Sequence, residues 1–314
     1  MSKQIPPAIF IIGPTASGKT GLAIKLMEYF PIELISVDSA LVYKGMNVGT
    51  AKPTKEELQF APHRLISFLD PSKPYSAAEF CKDALREMNE ITANGNIPVL
   101  VGGTMLYFRA LEYGLAKLPV ANQQLREKLS NKADKYGWGY LHDRLKEVDS
   151  ESASRIHPND KQRIQRALEV YQLTGKALTT HQKEAQMDAL PYRLMKIALI
   201  PESREWIRDL AEVRFNQMLN NGLIEEVQSL YDRGDLNSDL PAMRSVGYRQ
   251  VWDYIEGKTD FSEMKELAII ATRQLAKRQM TWMRSEKKIT PYDAKEYDLL
   301  KIVDDIEKFL KKVN

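Results

Sequence analysis

The chain has 314 residues, with 45 lysines and arginines against 42 aspartates and glutamates, a formal net charge of +3. That balance is too even to demand a nucleic-acid partner, although a local basic patch could still serve one. The single cysteine, Cys81, excludes an intramolecular disulfide and a cysteine-rich metal site.

Length suits two domains better than one, and a hydrophobic content of 43% is enough for a packed core. The first residues, Met1-Ser2-Lys3-Gln4-Ile5-Pro6-Pro7, lack the apolar region of a signal peptide, and no apolar run is long enough to cross a bilayer. A cytoplasmic protein with no membrane partner is expected, and nothing asks for an obligate dimer, so a monomer is expected too.

Residues 8–12 form a continuous apolar run of the kind found in a buried parallel strand. Gly13-Pro14-Thr15-Ala16-Ser17-Gly18-Lys19-Thr20 follows at once and fits the phosphate-loop pattern G-x-x-x-x-G-K-[ST]. A chance match is on the order of one in a hundred for a chain this long. Residues 22–27 then read as a helix. Strand, glycine loop and helix together make a phosphate cradle, with backbone N–H groups and the helix N-terminus pointing inward. Lys19 would bring a full charge to the phosphates, and the Thr20 hydroxyl could hold Mg²⁺. The loop alone does not say which phosphate compound binds.

A second strand at 33–37 ends at Asp38. Ligands of open α/β sheets bind beyond the carboxyl ends of strands, so Asp38 is expected at the site edge, near the phosphate loop. Its bland alternative is a turn or helix cap. A glycine-punctuated loop covers 42–53. Ser76 with Glu79 forms a capping box for a helix running to about Asn94, stopped by Gly95. On that helix Cys81 falls among Ala77, Phe80, Ala84, Leu85 and Met88 and reads as a buried core thiol. The strand at 97–101 runs into Gly102-Gly103-Thr104, a second close backbone approach to a ligand.

From about Lys117 to Leu190 only helical periodicity is present, with helices near 122–136, 138–148, 151–156 and 159–174. Strand character returns at 192–200. Helices then fill the remainder, near 203–220, 223–232, 244–256, 262–284 and 300–312. The expected architecture is an α/β fold with a P-loop NTPase-like parallel sheet (residues 1–117 and 190–314) interrupted by an all-helical insertion (118–189). Arg163 and Arg166 lie one turn apart on one helix, and Arg273 with Lys277, Gln274 with Arg278, and Arg284 line another. Either stripe could face an anion such as an RNA backbone, but a solvated helix face is the usual reading of such charge runs, and the stripes alone do not imply RNA binding.

Asn131-Lys132-Ala133-Asp134 matches the N-K-x-D of guanine-specific GTPases but follows a polar helical run rather than a buried strand, which removes the required context. The four histidines, His63, His142, His157 and His181, do not pair at metal-ligand spacing; His157 stands where it could cap a helix.

With these stretches assembled, the chain resembles the tRNA dimethylallyltransferases, also called tRNA isopentenyltransferases, over nearly its whole length. The resemblance rests on the phosphate loop, on residues 38–46 and 49–53, on 102–107, on His157-Pro158-Asn159-Asp160 with Gln162 through Arg166, on 246–250, and on 271–279 with Trp282. One departure is Asn47, where the family pattern has Asp. Lacking a C-terminal zinc finger, the chain is similar to the bacterial form.

The resemblance implies transfer of the dimethylallyl group from dimethylallyl diphosphate to N6 of adenosine 37 in tRNAs reading codons that start with U. It implies that the phosphate loop holds a diphosphate leaving group, with Mg²⁺ on Thr20. Asp38 would be the base for the N6 proton, and Arg214 would help Lys19 grip diphosphate. Contact with tRNA is implied for Asp38, Ser39, Ala40, Leu41, Thr104, Arg126, Gln162, Arg163, Ile164, Gln165, Arg166, Arg244, Ser245, Val246, Gly247, Tyr248 and Arg249. The target base would have to leave its stack to be reached. Two other readings share parts of the sequence. A small-molecule kinase would use the same loop for ATP but needs a mobile arginine lid. A non-catalytic RNA-binding protein would have no need of intact Lys19, Thr20 and Asp38.

Overall fold

Most strands of this chain are short apolar runs, and the described strands collect into one sheet. The computed structural model describes residues 5–184, 190–201, 203–286 and 288–312. The described strands are β1 (Pro7–Ile12), β2 (Ile32–Val37), β3 (His63–Arg64), β4 (Ile97–Gly102), β5 (Arg193–Ile200) and β6 (Ile289–Asp293). The first helices are α1 (Lys19–Leu26), α2 (Lys55–Phe60), α3 (Ala77–Ala93) and α4 (Met105–Tyr113). Next come α5 (Gln123–Val148), α6 (Ser150–Arg155), α7 (Lys161–Thr174) and α8 (Leu178–Glu184). The last are α9 (Arg204–Asn220), α10 (Leu223–Tyr231), α11 (Tyr248–Ile255), α12 (Phe261–Ser285) and α13 (Leu299–Lys311).

The sheet order is β3-β2-β4-β1-β5-β6, and every pairing is parallel. Parallel strands need crossovers that cover both faces, which is why β1, β2 and β4 are almost wholly apolar, Glu33 and Ser36 of β2 being the exceptions. On one face Ile9, Ile11, Leu34, Val99, Val101, Ile197 and Leu199 pack with Leu22, Ala23 and Leu26 of α1 and Ile302 and Ile306 of α13. On the other, Phe10 meets Phe108 of α4 with ring centroids 5.0 Å apart. Such a pair contributes about 0.5–1.5 kcal/mol beyond its burial. A second apolar cluster joins Val42, Tyr43 and Met46 to α9–α12 through Phe215, Val227, Tyr248 and Trp252.

The chain divides into two compact units. One runs to Leu111 and resumes at Pro191; the other is Glu112–Leu190. This junction falls six residues before the expected start of the insertion at 118, near the end of α4. The expected end of the insertion, residue 189, lies outside the described residues. Within the second unit every described element is helical. Leu129, Leu141, Leu145, Ile164, Ala167 and Leu168 form its core. Gly137, at φ 85° and ψ 159°, breaks α5 between the two expected helices. Asp149 ties α6 to α8 by accepting from the backbone and hydroxyl of both Ser152 and Thr179.

Five expectations need correction. Residues 55–60 and 63–64, where no element is expected, form α2 and β3, and 178–184, within the stretch of helical periodicity, form the further helix α8. Capping accounts for α2, where Thr54 and Glu57 close a box that the strand-centred pattern hides. The tail is not wholly helical, since β6 adds an edge strand beside β5; its exposed Thr290 and Pro291 mask the strand signal. The helix expected from 244 begins only at Tyr248, after a turn closed by Gly247 at φ 91°. Cys81 is half-buried rather than in the core, and burial still pushes its thiol up to about 11. His157 accepts from the Asn159 N–H, while the α7 cap is Asp160.

Candidate active site

Four segments that end strands of the sheet's carboxyl edge, or cross it, meet around the phosphate loop. After β1 the chain turns through residues 13–18, with Ala16 at φ 64° and Gly18 at φ 80°. A non-glycine residue in that region is strained, and such strain concentrates at functional loops. A Cβ on Gly13 would sit 2.4 Å from Ser17 Oγ and 3.0 Å from the Leu199 carbonyl oxygen, so the loop can close only on glycine. Gly18 caps α1 without a side-chain acceptor, which leaves the first N–H groups of the helix for an anion. Lys19 curls back, its Nζ donating to the Pro14 carbonyl at 2.6 Å.

The second wall follows β2 and β4. Asp38 Oδ1 accepts from the Ala40 and Leu41 N–H groups at 2.8 and 3.3 Å, so the turn reading of this residue is realised in the fold. The same carboxylate acts electrostatically on Lys19 and Arg214, which puts it within reach of the phosphate loop. Gly102 packs so closely that a Cβ would lie 2.0 Å from the Val37 carbonyl oxygen. Thr104 then links the two strand ends. Its N–H donates to Val37 O at 3.3 Å, and its Oγ1 accepts from the Ser39 N–H at 3.2 Å.

Arg214 enters from α9, with one guanidinium nitrogen donating to the Thr50 carbonyl at 3.4 Å. Burial, then the Arg214 charge, hold Lys19 down to about 7 against the opposing pull of Asp38. Burial also depresses Arg214, again against Asp38. Two half-buried cations share one carboxylate, an arrangement that an incoming polyanion would relieve.

The loop that carries Thr50 is fixed by Glu226 of α10. Its Oε2 accepts from the Asn47 and Val48 N–H groups at 2.8 and 2.9 Å, and its Oε1 from Gly49 N–H at 3.1 Å and Tyr248 Oη at 2.5 Å. Asn47 contributes through its backbone, so the departure from Asp at this position leaves the anchor in place. Lys52, pushed down to about 8 by burial, donates to Tyr43 O and Ser67 Oγ at 2.7 Å each.

Among the described residues no group of three or more His, Cys, Asp or Glu side chains is placed to hold a metal ion. A hard cation that keeps most of its waters and binds chiefly through phosphate oxygens needs only one or two protein oxygens. Thr20 opens α1 next to Lys19, and Asp38 acts on that lysine from the neighbouring strand end. That sparse oxygen set fits such an ion.

The residues expected at tRNA fall in both units. Near Asp38, Ser39 is exposed and Ala40, Leu41 and Thr104 are half-buried. Arg244 and Arg249 are exposed, Ser245 and Val246 half-buried, and Gly247 and Tyr248 buried. In the helical unit Gln162 and Arg163 are exposed, whereas the Ile164 side chain is wholly buried in the core. Gln165 spends its amide on Arg126 O and Ser130 Oγ. Arg126 and Arg166 both pair with Glu169, which is fully buried and also accepts from the Asn122 N–H. Burial pushes the Glu169 carboxyl up, but those three partners pull it below the ordinary range. Glu169, Glu226 and Gln279 are polar anchors that sequence reasoning gave no role.

The IPP transferase family model matches residues 41–286, and the isopentenyl transferase model matches residues 7–71. A tRNA dimethylallyltransferase from Thioalkalivibrio sulfidiphilus is 56% identical over 298 residues, covering 95% of this chain and 93% of that protein. The crystal structure of a tRNA isopentenylpyrophosphate transferase from Bacillus halodurans superposes with a TM-score of 0.70 at 36% identity, covering 97% and 95% of the two chains. A eukaryotic dimethylallyltransferase crystallised acting on tRNA shares the fold, with a TM-score of 0.81 at 23% identity over 98% of this chain and 80% of that one.

Proposed function

This chain belongs to the IPP transferase family, and on that premise we propose that it transfers the dimethylallyl group of dimethylallyl diphosphate to N6 of adenosine 37 in tRNAs reading codons that start with U. The products are N6-dimethylallyladenosine and diphosphate. One observation carries the reading. Lys19 and Arg214, two depressed cations from separate elements, converge with Asp38 beside the phosphate loop. Cations gathered there suit a diphosphate that must leave, and a carboxylate beside them suits an acceptor that must lose a proton.

The reaction forms a bond from N6 to the allylic carbon as the carbon–oxygen bond to diphosphate breaks. Negative charge grows on the departing oxygen, and preorganised donors that meet it stabilise the transition state more than the ground state. The loop N–H groups of Ala16 and Gly18, with Lys19 and Arg214, fill that role. When bound, Mg²⁺ held by Thr20 would neutralise part of the diphosphate charge. The N6 proton passes to Asp38. Its Oδ1 is held by the Ala40 and Leu41 amides, which orients the carboxylate toward the acceptor. An exocyclic amine is a weak nucleophile, so holding the flipped base in line matters as much as the base.

Exposed Arg163 and Gln162 on α7, with Arg244 and Arg249 before and on α11, are the groups through which we assign tRNA contact. Arg126 and Arg166 would support that surface through Glu169. We assign the inserted helices, residues 118–189 in the expected division, to the tRNA anticodon arm, and a monomer acting in the cytoplasm. No described helix is long and apolar enough to cross a membrane.

The test mixes purified protein, Mg²⁺, labelled dimethylallyl diphosphate and unmodified tRNA, against the same tRNA with adenosine 37 replaced by guanosine. Label in the first RNA alone is expected. Label in neither, with ATP consumed on a small-molecule acceptor, would replace the reading with a kinase.

A further inference from the structure

We propose that Gln279 is a positioning residue that sets the register between the diphosphate cradle and the acceptor side of the site. The proposal rests on the reading above. Gln279 lies on α12, far from the phosphate loop in sequence, and its side-chain amide is spent on both walls at once. Its Oε1 accepts from the Thr15 N–H at 3.0 Å, in the middle of the phosphate loop. Its Nε2 donates to the Gly103 carbonyl at 3.0 Å, in the glycine pair that ends β4.

A side chain that only filled space would not need both ends of its dipole satisfied on two different loops. The packing is as specific as the bonding. A Cβ on Gly103 would stand 2.4 Å from Gln279 Nε2 and 3.1 Å from the Gly13 carbonyl oxygen, so glycine at 103 makes room for this amide. From Gly103 the chain passes directly to Thr104, whose hydroxyl holds the Ser39 N–H next to Asp38. An unbroken path therefore runs from Thr15 through the Gln279 amide, Gly103 and Thr104 to the turn that carries the base.

The consequence follows from geometry. Transfer requires the leaving diphosphate and the acceptor nitrogen to lie on opposite sides of one carbon, and a displacement near an ångström costs orders of magnitude in rate. Two loops on adjacent strands would each hold their own ligand without Gln279, yet drift against one another. Removing the amide should therefore injure the rate of transfer far more than the affinity for either ligand.

The test is a double-mutant cycle on the full chain with Gln279→Ala and Gly103→Ala, plus Gln279→Met, which keeps volume and discards both hydrogen bonds. Single-turnover transfer, the KM for tRNA, the dissociation constant for inorganic diphosphate and the melting temperature are measured for each. Gln279→Met should lose about tenfold or more in rate, with tRNA KM and diphosphate affinity within about threefold and a melting temperature near that of wild type. Gly103→Ala should reproduce the rate defect by pushing the amide aside, and should add little in the Gln279→Ala background.

Rates within about twofold of wild type for Gln279→Met, multiplicative effects of the two alanine substitutions, or rate and diphosphate affinity falling in step would each overturn the proposal. A wild-type chain that binds diphosphate but transfers nothing would defeat the functional reading alone. The register is then read on hydrogen exchange of the Thr15 N–H, which Gln279→Met and Gly103→Ala should each speed and the double variant no further; exchange unchanged from wild type would overturn it.

Discussion

Raising the pH above 7 should weaken binding of dimethylallyl diphosphate through Lys19, and the chain should take up a proton as it binds. Burial and Arg214 hold the free lysine down to about 7. A diphosphate beside it favours the charged form and returns the group toward its ordinary value near 10.5. At pH 8 only about a tenth of the free chains carry a charged Lys19, so binding should draw in about 0.9 proton and forfeit about 1.4 kcal/mol, a tenfold loss in affinity. Isothermal titration in two buffers of different ionisation enthalpy reads the uptake directly. Ionisation of the ligand itself contributes to every titration, so the informative quantity is wild type minus variant. Lys19→Arg keeps the charge at all accessible pH and Lys19→Met removes it, so both should lose the uptake. Equal uptake in wild type and both variants would refute the assignment of the proton to Lys19. The same lysine bears on stability. The folded chain binds fewer protons than the unfolded chain between about 7 and 10.5, so this group's contribution to stability rises with pH across that window and is most unfavourable below it.

Asp38→Asn keeps an oxygen for the Ala40 and Leu41 amides but removes the base, so transfer should fall about 10²–10⁴-fold while tRNA binding in a filter assay stays near wild type; a parallel loss of both would make Asp38 structural. Gly49→Ala would set a Cβ 2.5 Å from the Tyr248 ring and 2.8 Å from Leu223. Overpacking of this kind should cost about 1–3 kcal/mol in denaturant unfolding, and an unchanged midpoint would remove the claim that the ring is fixed there. Arg163→Ala should weaken tRNA binding and flatten its salt dependence, because that side chain is 66% exposed and its Asp160 partner is 3.4 Å away; an unchanged slope would take α7 out of the contact. Asp149 and Glu169 are held below the ordinary carboxylate range, so their stabilising effect is present above the unfolded value and lost as pH falls through the folded values. The helical unit should thus lose stability as pH falls below the ordinary carboxylate range, and Asp149→Asn should flatten that acid limb in circular dichroism; an unchanged limb would remove Asp149 from the account.

The parts of this site that could be read from sequence are those whose reasons are local. The phosphate loop announces itself because a tight turn, a helix start and a lysine must fall at fixed spacing, and Asp38 is pointed to because an acid that ends an apolar strand falls at the sheet edge where ligands bind. The parts that could not be read are joined over long separations. Thr15 meets Gln279 across 264 residues, and Gly49 meets Glu226 across 177. A glutamate on an amphipathic helix such as α10 looks like any solvated charge until the fold carries a loop of bare amides to it. The edge strand β6 was hidden for a different reason, since exposed Thr290 and Pro291 break its apolar run and leave only Tyr292 buried. Glu169 shows the same limit inside the helical unit. Its burial depends on Arg126 from another helix, and no spacing within α7 foretells that partner.

The place of β1 between β4 and β5 has a consequence for how the chain is made. During synthesis β1, β2 and β4 leave the ribosome early, but β1 keeps one bare edge until Arg193–Ile200 is complete. The helical unit Glu112–Leu190 is translated in between, and its apolar core is built from its own residues, so it can settle before the sheet is closed. Closing the gap between β1 and β5 then costs the entropy of a loop whose contents are already folded, not that of some 180 loose residues. A nascent chain paused before β5 would expose an apolar strand edge, the kind of surface that chaperones shield. Substitutions that only slow the folding of the insertion would therefore be felt as lost yield of the sheet domain, even at positions that touch no part of it.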